Sequence, residues 1–289
     1  MATSYDQVVL FGDSLFQGAT DILEGFSFQA ALQKHCIRRL DVVNRGFSGW
    51  NTQDALRYLP EIFPAKGSNE TSAPRLRYLL ILLGANDACL PHSYPTQYCS
   101  LDDYRANLKA IITHPNITAH KPTILLVTPP PLDETRIHQY DILENNLEEL
   151  TRNAANSAKY SQAARDVAAE VPGTVLVDLQ DGLMKHAVSL TGKLESFEYD
   201  ADGKPLLGYL LKDDEGKIRG RRGGLGQLLP DGLHLSGEAY RVFFDLVRPH
   251  IGPFPEKLDD KGEKSEFANP FPDWRILADE REEAKKRSA

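Results

Sequence analysis

The chain has 289 residues, 41% hydrophobic and 26% charged, a composition that excludes fibrous and largely disordered classes. Its formal net charge of −8 argues against nucleic acid or an anionic membrane as partner, because both reward clustered positive charge. The three cysteines, Cys36, Cys89 and Cys99, lack C-x-x-C or His/Cys ligand spacing, so they are expected to be buried free thiols rather than disulfides or a metal site.

The first residues, "MATSYDQVVLFGDS", lack the basic segment and apolar stretch of about 7 to 15 residues of a signal peptide. A cytoplasmic protein is expected, with the sequons at Asn69 and Asn116 unused. No run approaches the roughly 20 apolar residues of a membrane span.

Short apolar runs follow in order: "QVVLF" (7–11), "LDVVN" (40–44), "RYLLILL" (77–83), "TILLVT" (123–128) and "TVLVDL" (174–179). They do not alternate, as befits strands buried on both faces of a parallel sheet. Between them lie helical patterns such as "FSFQAALQKHC", "NTQDALRYLPEIF" and "SLDDYRANLKAIITH". The alternation predicts a three-layer α/β/α sandwich with right-handed crossovers.

Residues 136–171 read as one long helix, with Ile137, Tyr140, Leu143, Leu147, Leu150 and Ala154 at spacings of three and four. Residues 236–251 read as the last helix of the domain, capped by Ser236. Between these helices, 195–227 breaks the rhythm with Gly-containing turns, which predicts one or two β-hairpins inserted beside the residues that follow. Arg219, Arg221 and Arg222 within it are a weak phosphate-binding candidate, set against a solvated loop. The expected organisation is one domain over 1–251 with this insertion, followed by a tail, 252–289. The tail is expected to wrap the domain through Phe267, Phe271 and Trp274 and to end in a solvated helix or a frayed terminus.

Ligands of open α/β sheets bind outside the carboxyl ends of the strands. Those ends carry "GDSLFQG" with Ser14, "NRGFSGWNT" with Gly46 and Gly49, "GANDA" with Asn86, and "PPP" at 129–131, a rigid wall without amide donors. Far downstream, "LLPDGLHLSGEAY" sets Asp231 three residues before His234. A serine nucleophile needs a base, and the base needs an orienting group on its other nitrogen. Ser14, His234 and Asp231 meet that need; His92, His138 and His186 are weaker base candidates. The Ser14 backbone N–H, a glycine N–H from Gly46 or Gly49 and the Asn86 side-chain amide supply donors for an oxyanion.

With these blocks in this order, the sequence resembles the SGNH, or GDSL, hydrolases, and "VTPPPLDE" with "FPDWR" resembles their isoamyl acetate-hydrolysing esterase branch. The resemblance implies a flavodoxin-like five-stranded parallel sheet that works without a cofactor or metal. It also implies Ser14 as nucleophile, His234 as base, Asp231 as its orienter, and Gly49 rather than Gly46 as oxyanion donor beside Ser14 and Asn86. Leu15, Phe16 and Pro130 are the expected substrate-contacting residues, with Phe11, Phe47 and Trp50 as further candidates for apolar lining and core packing as the alternative for the aromatic residues.

The function so implied is hydrolysis of short-chain acyl esters of small alcohols through an acyl-enzyme, with a small-molecule ester as partner and a place in lipid metabolism. A carbohydrate deacetylase, lysophospholipase or thioesterase would use the same machinery, and a non-catalytic binding module would keep the fold. For the insertion, narrowing of the acyl pocket, contact with a larger alcohol group and homodimer formation are all open roles.

Overall fold

The computed structural model describes residues 5–65, 74–91, 97–144, 150–192, 197–212, 214–215, 218–254, 271–272 and 274–288. In chain order the elements are β1 (Asp6–Gly12), α1 (Ser14–Gln17), α2 (Phe28–His35), β2 (Leu40–Gly46), α3 (Thr52–Ile62), β3 (Leu76–Leu82), α4 (Leu101–Ile112), α5 (Pro115–Thr118), β4 (Thr123–Val127), α6 (Glu134–His138), α7 (Ala154–Glu170), β5 (Thr174–Val177) and α8 (Leu179–Leu190). There follow β6 (Leu210–Lys212), β7 (Ile218–Gly220), α9 (Leu225–Leu228), α10 (Gly237–Val247) and α11 (Trp274–Ser288).

Five strands form one parallel sheet in the order β2-β1-β3-β4-β5. This is the three-layer, flavodoxin-like arrangement expected from the strand runs. Successive side chains of a strand point to opposite faces, so β1 feeds two cores. Val8 and Leu10 pack with Phe28 and Leu32 of α2, Leu183 of α8 and Phe243 of α10. Val9 and Phe11 pack with Leu59 of α3, Leu108 of α4 and Val167 of α7 on the other side. Helix starts follow the cap residues: Ser27, Asn51, Ser100 and Ser236 each accept a backbone N–H of the first turn.

The register sets Gly12 opposite Gly46 on one neighbour and Leu82 on the other, so the loops after β1, β2 and β3 leave the sheet at one edge. A Cβ on Gly46 would lie 2.1 Å from the Gln17 backbone nitrogen and 2.6 Å from the Phe16 carbonyl carbon. The missing side chain is therefore what lets α1 sit against the end of β2.

Three expectations require correction. Residues 136–171 are not one helix: α6 passes into a π-helical stretch at Gln139–Glu144, and α7 starts afresh at Ala154. The Asp141 carboxylate accepts the Thr151 N–H at 2.7 Å and its hydroxyl at 2.6 Å, and Asn153 caps α7 by accepting from Asn156 N–H at 2.7 Å. Short polar side chains thus take the backbone donors that a continuous helix would need. The side chains of Leu143 and Leu147 lie outside the described residues.

The second correction concerns the arginine cluster, expected to sit in a solvated loop rather than to cradle phosphate: the Arg222 side chain is half-buried and committed to a carboxylate. It pairs with Asp133, a fully buried carboxylate, and donates to Leu229 O at 3.1 Å. Arg221 is exposed, and the Arg219 side chain lies outside the described residues.

The third concerns the tail. The Phe271 and Pro272 carbonyls accept hydrogen bonds from Arg38, and Phe271 packs edge-on against Tyr5, but Trp274 is 67% exposed and opens the exposed α11. Phe267 lies outside the described residues. Within the insertion, β6 and β7 pair antiparallel, and a second turn is closed by a bridge between Tyr199 and Pro205. The three cysteines are free and buried. No helix among the described residues is long and apolar enough to cross a membrane.

Candidate active site

β1 ends at Gly12, and Asp13 turns the chain into α1 by accepting the Leu15 N–H at 2.9 Å. Ser14 is the first residue of that helix, half-buried at the carboxyl edge of the sheet. The Tyr240 hydroxyl donates to Leu15 O at 2.7 Å and Asn44 Nδ2 to Phe16 O at 2.6 Å, fixing α1 from both sides.

His234 arrives from the loop before α10. That loop is held by Gly232, whose positive φ of 95° and missing Cβ let its backbone approach Asp133. The Gly232 carbonyl accepts Asp133 N–H at 2.9 Å, and Ser236 N–H reaches Leu228 O at 2.9 Å. One oxygen of Asp231 accepts the Leu233 and His234 amides at 2.9 and 2.8 Å; the other faces His234 Nδ1 at 2.6 Å. On the far side of the ring, Nε2 lies 2.9 Å from Ser14 Oγ.

An ionised carboxylate only accepts, so Nδ1 carries the proton and Nε2 is left to accept from the serine hydroxyl. The three residues, separated by up to 220 positions, thus have the alignment that a serine nucleophile, its base and an orienting carboxylate require. The hydrogen bond to Asp231 raises the His234 pKa above its ordinary 6.5, against the opposing effect of burial. For Asp231, burial works upward, but the bonds from the His234 ring and from the Leu233 and His234 amides outweigh it and hold the carboxyl well below the usual range.

Asn86 follows β3, is buried, and donates from Nδ2 to Trp50 O at 2.9 Å, with no acceptor among the described residues for its second amide hydrogen. Gly49 sits at φ 82°, a conformation that favours glycine. Among the described residues, neither the Gly49 nor the Ser14 backbone N–H has a protein acceptor. Three donors are thereby available on the segments that follow β1, β2 and β3.

Leu15 and Phe16 do not line the site. Both are fully buried in the core, Phe16 stacked on Phe243 at 5.8 Å between ring centroids. A short helix on a strand end turns the two residues after the serine inward, which corrects their expected role in substrate contact. Pro130 is buried too, and Phe11 packs edge-on against Phe63 inside the opposite core. Phe47 and Trp50 stack at 4.2 Å and remain half-buried. A cavity of about 470 Å³ lies between α7, α8 and the insertion, lined by Pro131, Arg165, Asp178 and Tyr209 among others, and by none of the triad residues.

Of the other histidines, His186 pairs with Glu238 at 2.8 Å between α8 and α10, and His92 lies outside the described residues. The Nδ1 of His138 is buried and makes no hydrogen bond among the described residues.

Four more residues surround the site: Asp13 and Asp87, which lie inside the "GDSLFQG" and "GANDA" blocks, and Arg152 and Gln97, which belong to no motif. Asp13 and Asp87 are buried beneath it, each with one oxygen unpartnered, and burial pushes them up to about 7 and about 6. Arg152 donates to Asn86 Oδ1, and Gln97 donates to Gly49 O. Nothing in their local sequence marks either residue; Arg152 is concealed in the stretch that reads as continuous helix.

The model of the GDSL-like lipase/acylhydrolase family matches residues 10–242. The human isoamyl acetate-hydrolyzing esterase 1 homolog is 28% identical over 288 residues, covering 98% of this chain and 92% of that protein. The homolog from Bos taurus is 30% identical, covering 96% and 91%. Among solved structures, an acetyl xylan esterase superposes with a TM-score of 0.55 at 18% identity, covering 85% of this chain and 100% of that one. An acetylxylan esterase from Geobacillus stearothermophilus gives 0.54 at 16%, covering 88% and 99%.

Proposed function

The chain belongs to the GDSL-like lipase/acylhydrolase family and is a carboxylic ester hydrolase, and we propose that it is a serine esterase cleaving short-chain acyl esters of small alcohols through an acyl-enzyme. The observation that carries the reading is the single imidazole bridging Ser14 Oγ at 2.9 Å and Asp231 at 2.6 Å.

In this mechanism His234 Nε2 takes the Ser14 proton as Oγ attacks the ester carbonyl carbon. The carbonyl oxygen becomes an oxyanion held by the Ser14 and Gly49 N–H groups and the free hydrogen of Asn86 Nδ2. Asp231 stabilises the imidazolium without taking its proton. The imidazolium then protonates the departing alkoxide, the C–O bond breaks, and the acyl group stays on Ser14. Water, deprotonated by His234, attacks the acyl-enzyme; collapse expels the serine, which recovers its proton, and releases the carboxylic acid.

The short-acyl, small-alcohol preference is supported by near full-length similarity to proteins named isoamyl acetate-hydrolyzing esterase 1 homologs. Its test is a panel of isoamyl acetate, isoamyl octanoate, acetylated xylooligosaccharide, a lysophospholipid and acetyl-CoA. The highest kcat/KM is expected on isoamyl acetate; a higher value on any of the other four would overturn the substrate assignment while leaving the serine chemistry intact.

A further inference from the structure

Arg152 lies just before the cap of α7, half-buried beside the site. Its Nη2 donates to Asn86 Oδ1 at 3.1 Å and to Gln97 Oε1 at 3.0 Å, and its Nε to Ala85 O at 3.4 Å. Each amide passes the interaction on: Asn86 Nδ2 donates to Trp50 O and Gln97 Nε2 to Gly49 O, both at 2.9 Å. One guanidinium therefore holds two amides, and the amides hold two consecutive carbonyls of the β2–α3 loop. Gln97 is itself tied to that loop by Asn51 Nδ2, which donates to its carbonyl at 2.9 Å.

Withdrawing a cation from water is costly, and the cost is usually met by an opposing carboxylate. Among the described residues no carboxylate bonds to Arg152, although the buried Asp13 feels its charge, and its Nε and Nη2 donors go to neutral oxygens. That choice has a specific consequence for Asn86. The two ends of a carboxamide are alike in shape and opposite in polarity; a guanidinium at one end admits only the oxygen there and turns the NH2 group toward the Trp50 carbonyl and the site. The positive charge at Oδ1 also draws electron density from the amide, making its N–H a stronger donor.

We propose that Arg152 is a positioning residue for the oxyanion hole, fixing Asn86 directly and the Gly49 loop through Gln97. The proposal rests on the serine esterase reading, in which Asn86 and Gly49 are oxyanion donors. Arg152 touches no reacting atom. Because the oxyanion exists only after attack, misplaced donors lower kcat and leave KM nearly unchanged.

The test compares wild type, Ser14→Ala, Arg152→Gln, Arg152→Lys, Asn86→Ala and the Arg152→Gln/Asn86→Ala double variant on p-nitrophenyl acetate, with folding checked by circular dichroism. Arg152→Gln is expected to lower kcat on the order of 10²-fold, as for a misplacement of about 1 Å, with little change in KM. Lysine, a point charge without the planar fork, should recover only part of it. In the Asn86→Ala background the same substitution should cost much less, because the group it positions is gone.

A folded Arg152→Gln protein with wild-type kcat, or an equal loss in both backgrounds, overturns the proposal. If Arg152→Gln does not fold, Gln97→Met cuts the Gly49 relay alone and must still lower kcat; wild-type turnover there overturns it. An inert wild type, or a fully active Ser14→Ala protein, refutes the esterase reading instead. In that event the brace is decided by NMR: the Asn86 side-chain NH2 signals, assigned by their loss in Asn86→Ala, must shift in Arg152→Gln or Gln97→Met, and unmoved signals refute it.

Discussion

Replacing Asp231 by asparagine separates the shape of the catalytic loop from its proton arrangement. Asparagine retains one carbonyl oxygen, which is enough to accept the Leu233 and His234 amides now bonded at 2.9 and 2.8 Å, so the turn is expected to persist. The group facing His234 Nδ1 changes from an oxygen at 2.6 Å to an NH2 donor. Nδ1 must then become the acceptor and the ring proton moves to Nε2, the nitrogen that lies 2.9 Å from Ser14 Oγ and has to accept its proton. A serine triad trapped in the wrong tautomer loses on the order of 10⁴ in kcat, about 5 kcal/mol of barrier.

Two pH measurements accompany that loss. In the proposed mechanism activity requires neutral His234, whose pKa the Asp231 bond raises, so the acid limb of wild-type kcat/KM should have its midpoint above 6.5; in Asp231→Asn it should fall back toward or below that value. For folding, a raised histidine pKa stabilises fully below the unfolded value and ceases to do so as pH rises through the folded one. A depressed Asp231 stabilises above its unfolded pKa and ceases to do so as pH falls through the folded one. Both apply together in mildly acidic solution, so the difference in melting temperature between wild type and Asp231→Asn should be larger near pH 5.5 than near pH 9. Stopped assays on p-nitrophenyl acetate and thermal melts at the two pH values supply the numbers. An Asp231→Asn enzyme within tenfold of wild type, with an unmoved acid limb, would refute the tautomer argument.

Asn86→Ala removes one of the proposed oxyanion donors and should raise the barrier by about 3 kcal/mol, read as a fall in kcat with KM nearly constant; a pure KM effect would place Asn86 in ground-state binding. In Gly46→Ala the new methyl meets the backbone of Phe16 and Gln17, which has no side-chain freedom to yield, so a loss of about 3 kcal/mol is expected in urea unfolding, and an unchanged midpoint would contradict the packing. Arg222→Ala leaves the Asp133 carboxylate buried without its cation and should cost on the order of 3 kcal/mol. Asp133 N–H holds the Gly232 carbonyl of the catalytic loop, so activity should be lost at a lower temperature than in wild type; equal thermal inactivation would count against that link.

The sheet was legible because strands buried on both faces leave uninterrupted Val, Ile and Leu runs, and the site because ligands gather at the carboxyl ends of such strands. Ser14, Asp231 and His234 could be aligned on chemical need: each residue type has one part in activating a hydroxyl. Short-range periodicity carried no such constraint. The apolar spacing of 136–171 continues through the break at 151–153, where Asp141 and Asn153 take the backbone donors. Leu15 and Phe16 follow the serine in sequence, yet α1 turns them into the core. Arg152 and Gln97 were invisible for another reason. A cation bonded to neutral amides, reached across 55 and 66 residues, forms no motif, and only the fold brings its partners together.

The most direct measurement is the steady-state hydrolysis of p-nitrophenyl acetate by wild type and Ser14→Ala side by side at pH 8 with EDTA present. Robust turnover by wild type that EDTA leaves unchanged, with a loss of at least about 10⁴-fold in kcat for Ser14→Ala, is the expected result. A Ser14→Ala protein that keeps most of the wild-type kcat would contradict the assignment of Ser14 as the nucleophile.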